Sequence, residues 1–164
     1  PLHVFKGGRL IPENLANRYR RLQQAAAPGA SLQARLDYPF LLDFRRNQVL
    51  IVDSPGGAGA DPGLPYFQGP DRLAGYLVSQ NIRYIAYDYA SACGAPKDAR
   101  WLSLAANPAY PMAQSLVRHS FDLNDNYLAL AKTRALVYDD GSAFLIDLLS
   151  PRQPGTPPLK TQVP

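Results

Sequence analysis

Apolar residues recur at helical spacing near the start of the chain and at strand spacing shortly after it. A helix with one apolar face is predicted to begin near Glu13 and to end at the Pro-Gly pair of residues 28–29. Between residues 31 and 37, apolar and polar residues then alternate. This period of two predicts a strand that buries one face and carries Gln33 and Arg35 on the other, polar face.

The middle of the chain is predicted to form a βαβ unit. Residues 49–52 are four consecutive apolar residues, which is typical of a short strand covered on both faces. A loop is expected from residue 54 to residue 69, followed by a helix that begins at Pro70 and is capped by Asn81. Residues 82–89 then form a second strand, which we expect to run parallel to the first.

Two further helices and a hairpin are predicted in the C-terminal half. A short helix is expected over residues 101–105, and a longer one that begins at Pro111 and breaks near Asn124. The apolar runs 135–138 and 143–149 flank an Asp-Asp-Gly turn. Asp-Gly is favoured at hairpin turns, so this is a strong hairpin signal.

Together these elements predict one α/β domain over residues 1–150, followed by a proline-rich tail over residues 151–164. We expect a mixed sheet of about five strands, with the βαβ unit in its centre, the C-terminal hairpin at one edge and helices packed against it.

The amino-acid composition excludes several classes of protein. Apolar residues make up 46% of the chain and charged residues 18%, which argues against disorder. The net charge of +4 is only mildly basic and no nucleic-acid motif accompanies it, so no nucleic acid is expected as a partner. The single cysteine, Cys93, excludes an intrachain disulfide. Because the chain begins with Pro1 and not with Met, we expect it to be a segment of a longer protein.

The first candidate site is the loop that follows the strand 49–52. Open α/β sheets bind ligands at the carboxyl ends of their parallel strands, and the loop begins there. Its glycines could bring backbone N–H groups close to an anion, although their spacing matches neither the dinucleotide fingerprint nor the phosphate loop. Alternatively, Asp53 only caps the turn. The predicted ligand-binding residues are Asp53, Ser54, Gly56, Gly57, Tyr66 and Asp88.

Two other chemistries stay open from the residues alone. Asp53 or Ser54 together with His119 would make a small hydrolase, but Ser54 does not stand in a Gly-x-Ser-x-Gly elbow, so no catalytic residue is assigned. The glycine loop and the arginines would instead make an anion- or phosphate-binding module. The aspartates of residues 122–140 lack the spacing of a calcium loop, so neither a metal nor a cofactor is expected.

A series of short motifs extends from residue 38 to residue 89, and one further motif lies at the hairpin turn. Its motifs are Arg46-Asn47, Asp53, Pro55-Gly56, Gly69-Pro70, Ile82-Arg83-Tyr84 and Tyr138-Asp139-Asp140-Gly141. This pattern resembles the soluble C-terminal portion of bacterial polytopic membrane proteins, either lipid-linked-sugar glycosyltransferases or membrane proteins of uncharacterised function.

The resemblance implies a location and a role. A membrane-embedded part of the same chain would lie upstream, and this domain would lie at the periplasmic face of the bacterial inner membrane. No catalytic residue is carried over, because the catalytic acids of such transferases lie in loops of the membrane part. We therefore expect a non-catalytic extracytoplasmic domain that binds a glycan, a lipid-linked sugar or a protein partner. The sequence does not indicate an oligomeric state.

Overall fold

The fold is built on a central β-sheet with helices on both faces. The computed structural model describes residues 12–52, 63–89 and 99–160. The strands in this part of the chain are β1 (Ser31–Arg35), β2 (Gln48–Ile51), β3 (Ile82–Asp88), β4 (Arg134–Asp139) and β5 (Ala143–Pro151). The helices are α1 (Glu13–Gln24), α2 (Pro70–Ser79), α3 (Ala99–Ala106) and α4 (Pro111–Thr133), with a 3₁₀ turn at Pro39–Leu41.

The strand order is β2-β1-β3-β5-β4, which confirms the predicted α/β class, the mixed five-stranded sheet and the C-terminal hairpin. Strand β1 pairs in parallel with both β2 and β3, whereas β5 pairs antiparallel with β3 and β4. The two strands of the predicted βαβ unit, β2 and β3, are therefore parallel, but β1 lies between them.

Helices cover both faces of β1, and this corrects the prediction of one exposed face. Tyr19 and Leu22 of α1 pack with Leu32 and Ala34 on one side of the sheet. Helices α2 and α4 cover the other side, packing against β3 and β5. Gln33 and Arg35, predicted to be exposed, are therefore fully buried. The interior position of β1 between two parallel strands explains the difference.

Strand β2 differs from its prediction in the opposite sense. Its apolar residues were expected to be covered on both faces, but Val49, Leu50 and Ile51 are only half-buried. The physical reason is that β2 is the edge strand of the described sheet, so it lacks a second neighbour. Only Val52, directly after the strand, is buried in the core.

Helix α4 is continuous from Pro111 to Thr133, so the predicted break near Asn124 is wrong. The polar residues that suggested the break have partners outside the helix. Asn124 Oδ1 accepts a hydrogen bond from Arg35 Nε at 2.9 Å, and Asp122 Oδ2 accepts one from the Phe67 N–H at 2.9 Å. Their side chains therefore do not compete for the backbone of their own helix.

The Asp-Asp-Gly sequence forms the predicted turn of the C-terminal hairpin. Asp140 Oδ1 accepts hydrogen bonds from the N–H groups of Ser142 and Ala143, both at 2.9 Å, and Gly141 has a φ of 84°. The chain beyond β5 then returns along this turn, where the Lys160 N–H donates to Asp139 Oδ2 at 2.9 Å.

Candidate functional site

The carboxyl ends of β1 and β3 lie side by side at the topological switch point of the sheet. From β1 the chain continues to β2 on one side, and from β3 it continues to the hairpin on the other. Ligands of open α/β sheets bind in the crevice at such a point. Strand β1 ends at Arg35 and β3 ends at Asp88, so each strand brings a buried charged residue to this edge.

Of the predicted ligand-binding residues, only Tyr66 and Asp88 belong to the described part of the chain. Asp53, Ser54, Gly56 and Gly57 lie outside the described residues, and their role stays a prediction. Asp88 contacts α1, whereas Tyr66 packs against the core between the sheet and α4. The two residues therefore lie on opposite faces of the sheet and do not form one site.

Asp88 ties α1 and the segment after β1 to the end of β3. Its Oδ2 accepts a short hydrogen bond from the Tyr19 hydroxyl and a second from the Asp37 N–H at 2.9 Å. Its Oδ1 lies 3.9 Å from the guanidinium of Arg18 and has no hydrogen-bond partner among the described residues. Burial raises the pKa of the Asp88 carboxyl. This geometry indicates a structural role for Asp88 on the α1 face.

Arg35 is a functional-site candidate that the sequence pattern missed. Its side chain is only 1% exposed, and its guanidinium joins three elements. Nε donates to Asn124 of α4, and a terminal nitrogen donates to the carbonyl of Val52 at 3.3 Å. Burial raises the pKa of Tyr87 to about 12, although the positive charge of Arg35 acts in the opposite direction. The alternation of apolar and polar residues did not indicate that Arg35 is buried, because the burial of both faces of β1 depends on the order of the strands in the sheet.

Three rings form a cluster on the α4 side, which we call the aromatic shelf: Tyr66, Phe67 and His119. The His119 ring lies edge-on to both neighbours, with centroid distances of 4.4 Å to Tyr66 and 5.0 Å to Phe67. Tyr66 is partly buried, whereas Phe67 is 57% exposed. The shelf is therefore anchored in the core at one end and open to solvent at the other.

The backbone of Phe67 adopts a left-handed conformation with a φ of 59°. For a bulky residue such a conformation costs about 1–2 kcal/mol. The hydrogen bond from the Phe67 N–H to Asp122 Oδ2 offsets part of that cost, and Asn126 Nδ2 donates to the same oxygen at 3.2 Å. A solvent-exposed ring is thus held in a strained position by a specific acceptor.

The contacts of His119 indicate which ring nitrogen carries the proton in the neutral ring. Its Nδ1 lies 2.6 Å from the backbone carbonyl oxygen of Ser115. Because a carbonyl oxygen only accepts hydrogen bonds, Nδ1 carries a proton, and in the neutral ring Nε2 is the accepting nitrogen. The predicted pairing of His119 with Ser54 stays untested, since Ser54 lies outside the described residues.

Among the described residues, no group of three or more His, Cys, Asp and Glu side chains could hold a metal ion. In the same part of the chain, no helix combines the length and the apolar character needed to cross a membrane. Comparison with known proteins gives no relative: no family model matches the chain, and no curated protein or solved structure is significantly similar to it.

Proposed function

We propose that this chain is a non-catalytic binding domain for a hydroxyl-rich ligand, a glycan or a lipid-linked sugar, and that the aromatic shelf is its binding surface. One observation carries the proposal: Phe67 is exposed, aromatic and strained at once. Glycine would adopt this backbone conformation without steric strain, so the large exposed ring is kept there at a cost in backbone energy. Strained residues of this kind cluster at binding sites.

The chemistry of the shelf suits sugars. An aromatic ring offers an apolar face against which the C–H face of a sugar can pack. Beside it, Asp122 bonds to Phe67 and Asn126 through Oδ2, and among the described residues Oδ1 is left to accept from a ligand hydroxyl. In the neutral tautomer with the proton on Nδ1, Nε2 of His119 would add a second acceptor. A ring face flanked by a few polar groups is the usual composition of a small-ligand site.

The extracytoplasmic location is the second part of the proposal. It is supported by the resemblance of the motifs between Arg46 and Tyr84 to the soluble portion of bacterial polytopic membrane proteins. On this basis the domain lies at the periplasmic face of the inner membrane, with the membrane-embedded part of the same chain as its first partner. A lipid-linked sugar would then reach the shelf from the membrane surface.

Binding can be tested by NMR titration of isotope-labelled protein. The probes are neutral oligosaccharides and a water-soluble sugar diphosphate, which represents the head group of a lipid-linked sugar. We expect shifts of the backbone amides of Tyr66, Phe67 and Asp122. Phe67→Ala should weaken binding by about tenfold, the contribution of one stacked ring. Asp122→Asn should weaken it as well.

The matched control is Phe40→Ala, which removes another exposed phenylalanine, 60% exposed on the turn between β1 and β2. This variant should bind like the wild type. The proposal is wrong if no probe shifts the shelf amides, or if Phe67→Ala binds as well as Phe40→Ala. A hydrolytic activity that disappears in His119→Ala would overturn the non-catalytic assignment in favour of the hydrolase.

A further inference from the structure

Helix α3 and the first half of α4 form a helical hairpin that leaves much of its apolar surface exposed. Helix α3 contains no buried residue, and the buried residues of α4 begin only at Val117. The exposed apolar side chains of the hairpin are Leu102 (49%), Tyr110 (60%), Met112 (78%) and Leu116 (40%). Several large apolar side chains exposed on one hairpin indicate an interaction site.

The tip of the hairpin is an ordered turn. The Ala109 N–H donates to Asn107 Oδ1 at 2.9 Å, and the Gln114 N–H donates to the Tyr110 carbonyl at 2.8 Å. Between these bonds, residues 108–112 (Pro-Ala-Tyr-Pro-Met) are all exposed and none is charged. The turn thus holds an apolar tip in a fixed shape.

The charged side chains between Ala99 and Phe121 all have the same sign. No Asp or Glu occurs between Ala99 and Phe121, although the whole chain has 13 acidic residues. The charged residues in this range are Arg100 and Arg118, and both are exposed. The Arg100 guanidinium lies 5.7 Å from the centre of the Trp101 ring. The basic and aromatic side chains of residues 99–121 are complementary to anionic lipid head groups.

We propose that this hairpin docks on an anionic phospholipid surface, with Tyr110 and Met112 inserted between the head groups and Arg100 and Arg118 paired with lipid phosphates. Tyr and Trp favour the interfacial layer of a bilayer, and arginine pairs well with phosphate oxygens. The surface is too small to cross the bilayer, so the hairpin lies in the head-group region. This docking requires no glycan and uses none of the three rings of the aromatic shelf.

The chain carries its own reporter for this interaction, because Trp101 is its only tryptophan. The wild type is mixed with vesicles of phosphatidylcholine containing phosphatidylglycerol, and with vesicles of phosphatidylcholine alone. We expect a blue shift of the Trp101 emission and quenching by brominated lipid with the anionic vesicles only. The partition coefficient should fall as salt is added, since exposed charges are screened.

The test variant is Met112→Glu, which places a carboxylate on the apolar tip. It should lower the partition coefficient by at least about tenfold, because it removes an apolar side chain that would enter the lipid and adds a negative charge that the anionic head groups repel. The matched control, Leu149→Glu, adds the same carboxylate at a 60% exposed leucine of β5 and should partition like the wild type. Circular dichroism checks that both variants fold, since both positions are exposed.

Unchanged Trp101 emission with anionic vesicles, or equal partition of Met112→Glu and Leu149→Glu, would overturn the docking. So would a wild-type dimer in light scattering that Met112→Glu converts to monomer, because the hairpin would then be a contact between two copies. Asp122→Asn, which weakens the shelf, should leave vesicle binding intact. Failure of the glycan proposal and failure of the membrane proposal are therefore distinguishable.

Discussion

Arg35 Nε donates a 2.9 Å hydrogen bond to Asn124 Oδ1, which joins the carboxyl end of β1 to the middle of α4 across 89 positions of sequence. The guanidinium is fully buried, so its charge needs polar contacts that water would otherwise supply. Asn124 is one of them and the carbonyl of Val52 is another. This contact sets the position of α4, and with it Asp122 and the aromatic shelf, relative to the switch point of the sheet.

Removing the Asn124 amide should destabilise the fold. Asn124→Ala takes an acceptor from a buried guanidinium, which costs about 1–3 kcal/mol in the free energy of unfolding. Asn124→Asp keeps an acceptor oxygen and should cost less. Urea denaturation measures the difference, with Asn17→Ala as the control, because Asn17 accepts a comparable bond from Arg20 on the exposed side of α1. If the Asn124→Ala and Asn17→Ala variants were equally stable, the Arg35–Asn124 bond would not organise the edge.

Asp88→Asn should leave the fold at neutral pH as stable as the wild type or more stable. The amide oxygen can occupy the position of Oδ2 and accept from both the Tyr19 hydroxyl and the Asp37 N–H. Asp88→Ala provides no acceptor, and it should cost about 1–3 kcal/mol for each donor left unpaired.

The difference in stability between the wild type and Asp88→Asn should change with pH in one direction. Burial raises the pKa of Asp88 above its ordinary value, so the folded state binds the proton more tightly than the unfolded chain. The contribution of Asp88 to stability is therefore largest below an unfolded pKa near 3.8 and falls as pH rises through the folded pKa. The wild type should lose stability relative to Asp88→Asn as pH rises from about 4 to 7. A difference that grows in the opposite direction would contradict the burial argument.

Local chemistry made most of the fold predictable. Pro70 marks the first turn of α2, Asn81 takes the left-handed conformation just after it, and Gly141 does so in the hairpin turn. Each of these signals depends on a residue and its immediate neighbours. The number of strands and the hairpin followed from them.

The predictions that were wrong depend on contacts between residues that are distant in sequence. The burial of Arg35 depends on β1 lying between two parallel strands, and the continuity of α4 depends on partners from β1 and from the segment before α2. Alternation and helix propensity do not contain this information. The aromatic shelf was missed in the same way, since Tyr66 was singled out but its ring contact with His119 joins residues from two different elements.

The ion pair of Arg83 and Asp147 should stabilise the sheet at neutral pH. Burial of Asp147 opposes its ionisation, but hydrogen bonds from Arg83 and from the Leu149 N–H outweigh it and lower the pKa of Asp147. The stabilisation is therefore present above the unfolded pKa and is lost as pH falls through the folded pKa. Arg83→Met should destabilise the protein at pH 7 and have a smaller effect in acid.

Asp71→Asn provides the control for this ion pair. Asp71 pairs with Arg134 at 3.5 Å, but its side chain is 92% exposed, so the pair contributes little. Urea denaturation at two pH values compares the variants. Equal losses for Arg83→Met at both pH values would mean that the aliphatic part of Arg83, and not its charge, stabilises the strand pair β3–β5.

Phe67→Gly separates folding from binding most clearly. Glycine adopts a φ of 59° without strain, so the substitution should recover about 1 kcal/mol of backbone energy. The loss of the ring contact with His119 reduces this gain. The free energy of unfolding should therefore stay equal to the wild-type value or rise, while sugar binding in the NMR titration falls by about tenfold. Phe67→Ala keeps the strained backbone and loses the ring, so it should bind as weakly as Phe67→Gly and be less stable. If Phe67→Gly were the less stable of the two, the left-handed backbone would not be strained, and the argument that the ring is held there for a ligand would fail.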